Sequence, residues 1–277
     1  MAANERFRFR NGCLAALMAL ALPFAASGAA AQINDRCPRL VSSLPSPLQK
    51  VSLRLAQQKA EAPVNITFIG HSTFLIESPG GIKIATDYND YVRPAEIPHI
   101  ATMNRAHSTH YTLSPDPAIQ HVLHGWGEGE NPARHELTLN DVYVRNVPTN
   151  IRDWQGGTIM SQNSIFVFEI GGLCIAHLGH LRHTLTAAHL DALGRIDVVL
   201  VPVDGSFTLN TDGMVEVLKQ IDAPVAIPMH MFGEVTLARF LDKMGQIYEV
   251  QRHPSRTIQL SRSLMPKSRT MIVLRGW

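Results

Sequence analysis

The 277-residue sequence balances 25 Lys and Arg against 23 Asp and Glu, and no basic run follows its N-terminal segment. That distribution lacks the basic face or stripe of a nucleic-acid-binding protein, so no nucleic-acid partner is expected. There are three cysteines and no Cys-x-x-Cys pair, which argues against sulfur ligation of a metal.

The first 31 residues read as a secretory signal peptide. Arg6, Arg8 and Arg10 precede the apolar run "CLAALMALALPFAA", and small residues at Ala29 and Ala31 precede Gln32. Cleavage would remove three arginines and Glu5, leaving 22 cations against 22 anions and no integral membrane segment. A periplasmic or secreted location follows as an expectation. Residues 32–62 read as a lead-in, with Leu48, Val51 and Leu55 on one face of a short helix. The main domain is expected over 63–277.

From Pro63 the pattern turns to strands. Residues 64–77 and 82–87 are rich in Ile, Val, Phe and Thr and are joined by "PGG", the mark of a hairpin. "EIPHIATMN" reads as a further strand, and "LTLNDVYVRNVPTN" and "SQNSIFVFEIGGLCIAHLG" as two or three more. The second half alternates. "TLTAAHLDALG" reads as a helix capped by Thr184 or Thr186, "RIDVVLVPVDG" as a buried strand, and "DGMVEVLKQIDAP" as a helix. The strand "VAIPMH", the helix "EVTLARFLDKMG" and two short closing strands follow. Strands with helices to cover their outer faces predict a layered α/β sandwich. An exported chain could bridge Cys37 and Cys174, but "GGLCIAHLG" reads as a buried strand carrying a free thiol at Cys174.

Thirteen histidines are present, and their positions matter more than their number. His107 and His110 follow one predicted strand; His177, His180 and His183 follow another; His230 follows a third. Strand carboxyl ends are where α/β proteins gather their sites, and clustered neutral imidazoles favour Zn, Fe, Ni or Cu over Ca or Mg. Isolated histidines are more often surface or satisfied core residues, and His99, His135, His189 and His253 are assigned to that class. The loops "LHGWGEGENPARH" and "RDWQGGTIM" offer Trp126 and Trp154 as pocket walls or packing anchors.

The order "FIGHSTFLIES…GIKIATD", "NRAHSTH", "IAHLGH", "DVVLVPVDG" and "VAIPMH" resembles the metallo-β-lactamase superfamily over about residues 63–235. The nearest resemblance is to its lactonase-like and phosphodiesterase-like hydrolases. It implies a four-layer αββα sandwich with a metal site along one edge of the two sheets. It also implies hydrolysis of an ester, lactone, amide or phosphodiester by a metal-activated water. The family's His-x-His-x-Asp-His motif falls on Arg105, His107, Thr109 and His110, so its first histidine and its aspartate are replaced. The next histidine falls among Thr149, Asn150, Ile151 and Arg152, and the bridging aspartate falls on His180. The last histidine is His230, while His71 and Asp87 match the Gly-His-Ser histidine and a supporting aspartate.

Two dications without a bridging carboxylate, beside Arg105, would repel strongly. One ion, zinc rather than Fe or Mn, on His107, His110, His180 and His230 is the easier arrangement. His71, Asp87, Arg105 and Asp204 are then expected to serve catalysis or to orient the ligands, acting on a small-molecule substrate. The competing reading is a non-catalytic exported binding protein on a decayed scaffold. Arg105 cannot ligate a metal, but its guanidinium could bind an anion or pair with Asp87.

Overall fold

The computed structural model describes Cys37 and residues 62–128, 131–153 and 155–276. The segments expected to form a signal peptide and a lead-in helix, and Trp154, lie outside the described residues.

The strands form two sheets. The first sheet runs β13(Thr257–Leu260)–β1(Val64–Gly70)–β2(Thr73–Glu77)–β3(Lys83–Ala85)–β4(Ile100–Met103)–β5(His121–His124). The second runs β12(Glu249–Arg252)–β14(Thr270–Val273)–β11(Val225–Met229)–β10(Val198–Pro202)–β9(Leu173–His177)–β8(Thr158–Ile170)–β7(Val142–Arg152)–β6(Glu136–Leu139).

Alternation along the strands builds two cores. Ile66, Phe68, Ile76, Ile84 and Ile100 of the first sheet meet Phe166, Phe168, Ile175, Val198, Leu200 and Ile227 of the second. The opposite faces of the same strands, through Cys174, Ala176, Val199, Val201 and Ala226, pack under the helices. Strands β9, β10 and β11 are therefore buried on both sides, which explains their unbroken apolar sequences. Each large apolar side chain so buried contributes about 1.5–3 kcal/mol.

The helices are α1(Ala187–Leu193), α2(Thr211–Ile221) and α3(Glu234–Met244), and all three cover the second sheet. Thr186 caps α1 in a reciprocal box with His189, and Asn210 caps α2. Among the described residues, the outer face of the first sheet carries a smaller cluster instead. Ala85, Ala101 and Met103 pack there with Tyr88 and Ile119 from loops. No described helix is long and apolar enough to cross a membrane.

Several expectations are corrected. Residues 64–77 are not one strand: β1 and β2 pair antiparallel, and the chain reverses at Gly70–Ser72. Gly70 (φ 153°) permits the reversal, since a Cβ there would press on Val92 at 3.1 Å, and His71 itself sits at φ 52°. Periodicity could not reveal this, because both arms carry the same apolar pattern. The expected loop starting at Leu123 overlaps β5, the expected loop "RDWQGGTIM" gives its last three residues to β8, and three strands, not two, follow α3. Cys174 is not a free thiol. It is bonded to Cys37 across 137 positions, a partner that lies far outside the local apolar context from which the thiol was judged.

The strand directions set up the site. β3, β4 and β5 are mutually parallel, as are β9, β10 and β11. Asp87, His107 and His110 follow the carboxyl ends of β3 and β4, and His180, Asp204 and His230 follow those of β9, β10 and β11.

Candidate metal centre

His107 and His110 converge because "NRAHSTH" is a turn. The His110 amide donates to the His107 carbonyl at 2.9 Å, bringing the rings to 4.5 Å between centroids. His71 arrives from the β1–β2 reversal, and its carbonyl accepts from the His230 amide at 2.7 Å. His71 and His230 ring centroids lie 4.0 Å apart. One nitrogen from each of His71, His107, His110 and His230 falls in a group mutually within 4.8 Å. The predicted set therefore gains His71. His180 stands beside this group rather than within it, its ring 4.9 Å from those of His107 and His110 and 5.2 Å from that of His230.

Two carboxylates aim the deepest rings. His110 Nδ1 lies 2.5 Å from Asp87 Oδ2 and 3.2 Å from Ser72 Oγ. His230 Nδ1 faces Asp204 Oδ1 at 3.1 Å, close enough for an ion pair but not aligned as a hydrogen bond. Protons on both Nδ1 atoms leave both Nε2 lone pairs turned inward, and those two atoms sit 3.1 Å apart. Two bare lone pairs at that distance repel, so without a cation one ring must carry its proton on Nε2 and donate it to the other. A cation between them relieves this, and two nitrogens at about 2.0–2.1 Å from one tetrahedral zinc lie roughly 3.3 Å apart.

The remaining ring atoms agree with a cation site. His71 Nε2 and both nitrogens of His180 are buried without a hydrogen-bond partner, and a lone buried polar atom costs about 1–3 kcal/mol. Burial, and then the neighbouring histidines, lower the pKa of His71 to about 3 and hold His110 well below the ordinary range. Burial is also the main cause of the lowered values of His107 and His180. These rings are therefore neutral near pH 7, the form that ligates metal. The donor set fits a borderline cation of the zinc type, balanced by two nearby carboxylates.

The supporting groups are buried too. Asn104 Nδ2 donates to Asp87 Oδ1 at 3.0 Å, and Asn104 Oδ1 accepts from the Ser164 amide at 2.7 Å. His177 Nε2 donates to the Ser72 carbonyl at 2.8 Å and so holds the reversal in place. The Asn163 side chain accepts from the His180 amide at 2.8 Å. Burial raises the Asp87 pKa against the pull of its partners. At Asp204 burial acts upward as well, but His230, Thr208 and the Ser206 amide outweigh it and hold the carboxyl below its usual range.

Arg105 is exposed and makes no ion pair among the described residues; Asp87, its expected partner, is fully buried against His110 and Asn104. His183 serves the fold, accepting from the Asn150 amide at 3.1 Å. The histidines assigned to structure behave so. His99 accepts from Lys83 N, His135 donates to His124 O, His189 accepts from Thr186 N and His253 accepts from Ser255 N. Sequence reasoning missed Ser72 and Asn104, although both lie within the quoted motifs.

A family model described as a β-lactamase superfamily domain matches residues 65–230. A UPF0173 metal-dependent hydrolase of Carboxydothermus hydrogenoformans is 24% identical over 197 residues, covering 60% of this chain and 84% of the relative. One from Thermoplasma volcanium is 35% identical over 65 residues, which are 24% of this chain and only 29% of that relative. Among solved structures, a candidate Zn-dependent hydrolase of the metallo-β-lactamase superfamily from Thermotoga maritima matches with TM-score 0.56 and 28% identity. That match covers 76% of this chain and 98% of the other. A metallo hydrolase of Ignicoccus hospitalis shares the fold, with TM-score 0.52 and 17% identity over 72% and 99% of the two chains. With two facing sheets, the site at their shared edge and a family match over most of the described core, the chain belongs to the metallo-β-lactamase superfamily.

Proposed function

We propose that this chain is an exported metal-dependent hydrolase with one zinc ion held by His71, His107, His110 and His230. The observation that carries the reading is the 3.1 Å approach of His110 Nε2 to His230 Nε2, with a carboxylate facing Nδ1 of each ring. When bound, such an ion polarises a carbonyl or phosphoryl oxygen and lowers the pKa of water. The chain's own residues supply the rest. Asp87 and Asp204 fix the rotation and tautomer of His110 and His230. His180, neutral and with neither ring nitrogen hydrogen-bonded, borders the donor group and the cavity wall. Burial and its histidine neighbours hold it too far below the ordinary range to act as the proton carrier, so it shapes the site. The names of the relatives support hydrolysis, and the Cys37–Cys174 bond supports an oxidising compartment.

The test is elemental analysis of the purified chain by mass spectrometry, paired with a panel of esters, lactones, amides and phosphodiesters. About one zinc per chain and turnover that vanishes in His110→Ala are expected. A metal-free parent would refute the centre. Bound metal without turnover on any class would favour the non-catalytic reading.

A further inference from the structure

A cavity of about 450 Å³ opens over the histidine cluster, with His107 and His180 in its wall. That volume suits a small molecule. Arg152 and Arg182 line the same cavity, and neither forms an ion pair with a carboxylate among the described residues. The one acid in the wall, Asp153, has its Oδ1 occupied by the amides of Gln155 at 2.9 Å and Gly157 at 2.7 Å. Asp204 is equally committed, to the amides of residues 206–208 and the Thr208 hydroxyl. Burial and then the Arg152 charge push the Arg182 guanidinium down while the Asp204 carboxylate draws it up, and the lining places the two guanidiniums on one space. Arg152 is exposed, so water screens the pair, but an anion entering the cavity meets both, and guanidinium forks match oxyanions in two-pronged fashion.

The other side of the opening is apolar. Phe207 lines the cavity and Phe232 stands beside it with ring centroids 5.4 Å apart, and both are 57% exposed. Phe232 lies 5.4 Å from the His230 ring and 6.1 Å from the His71 ring, so the aromatic pair borders the donor cluster itself. Two large rings left in water at the rim of a site mark a binding surface.

We propose that the substrate carries both an oxyanion and an apolar group, the first held by Arg152 and Arg182 and the second by Phe207 and Phe232. This rests on the hydrolase reading and names its substrate class; it assigns to Arg152 and Arg182 the anion-binding part that the sequence had suggested for Arg105.

The test is calorimetric titration of the chelator-treated full chain with phenylphosphonate, benzoate and methylphosphonate, with circular dichroism as the folding control. Phenylphosphonate or benzoate should bind, the tighter of the two naming the oxyanion, and methylphosphonate should bind more weakly than phenylphosphonate. Arg152→Gln with Arg182→Gln should weaken the aryl anions at least tenfold. Phe207→Ser should weaken only the aryl ligands. If the chelated chain loses its fold, the metal-loaded parent and double variant must show the same tenfold difference. No binding of either aryl anion at millimolar concentration, or binding untouched by the double variant, overturns the proposal. The two readings separate cleanly. A parent without metal that still binds aryl anions through the arginines removes only the hydrolase reading. A metal-bearing parent that cleaves a neutral ester and ignores both anions removes only the anion site.

Discussion

Asp87→Asn should weaken metal binding and leave the metal-free fold no less stable. Asparagine keeps the volume, and its oxygen can still accept from Asn104, now held at 3.0 Å. Its amide then faces His110 Nδ1, where the carboxylate oxygen stood at 2.5 Å. A donor in that place makes Nδ1 the acceptor and moves the ring proton to Nε2, which removes the lone pair aimed at His230 Nε2. Loss of a partner of this kind lowers metal affinity about ten- to hundredfold, or roughly 1.4–2.7 kcal/mol. The metal-free protein responds with the other sign. Burial raises the Asp87 pKa, so the ionised group opposes folding until a cation joins it, and the neutral amide removes that cost. Competition against a chromophoric chelator measures the first effect; melting with and without EDTA measures the second. Parent-like zinc affinity in the variant, or a metal-free melting point several degrees below the parent's, would refute the reasoning.

Cys37→Ser should destabilise the chain by up to about 5 kcal/mol on a chain-entropy argument, because the bond closes a loop of 137 positions; reductant titration of the parent should reproduce the loss. Gly179→Ala should cost about 1–3 kcal/mol by urea denaturation and reduce zinc affinity. At φ 58° an added Cβ would meet Asn104, which holds Asp87, and Asn163, which holds the His180 amide. Acid should weaken the metal-free chain. His71 titrates at about 3 when folded and 6.5 when unfolded, so the unfolded state binds the extra proton between those values. Stability therefore falls as pH drops through that window, by at most about 1.4 kcal/mol per unit for each such histidine. Asp87, shifted upward, acts in the opposite sense, so Asp87→Asn should lose more stability than the parent as the pH of urea melts is lowered from 7. A flat profile in both chains would count against neutral imidazoles in the cluster.

Most of the strand inventory could be read from the sequence because the second sheet buries both faces of its parallel strands, and a continuous apolar run is a strong signal. The strand-end histidines were legible for the same reason, since they follow the runs at once. The turn that brings His107 and His110 together was not, because residues three apart converge on a helix or tight loop and diverge on a strand. His71 was legible as a motif residue but not as a donor. Its place depends on a positive φ at a reversal hidden inside a uniform apolar pattern. His180 stood in line with a ligand position, yet backbone anchoring by Asn163 leaves it beside the donor group. Arg152 and Arg182 could not be paired by spacing, since one ends β7 and the other follows β9. Only the antiparallel β7–β8–β9 order carries both to one cavity wall. The Cys37 partner of Cys174 likewise comes from a distant segment that no local pattern marks.

The His110–His230 contact joins residues 120 positions apart, and His71 comes from a third segment. Of the four proposed ligands only His107 and His110 lie close in sequence, and the others are separated from them by loops whose closure must be met first. The ion is thus a poor nucleus for folding, and both sheets must dock before it gains its full set of ligands. Its contribution then falls after the rate-limiting barrier, on the unfolding limb. Metal should lengthen the lifetime of the folded protein while leaving the speed of its formation nearly unchanged, so loss of the ion is felt as a shortened lifetime and not as a failure to fold.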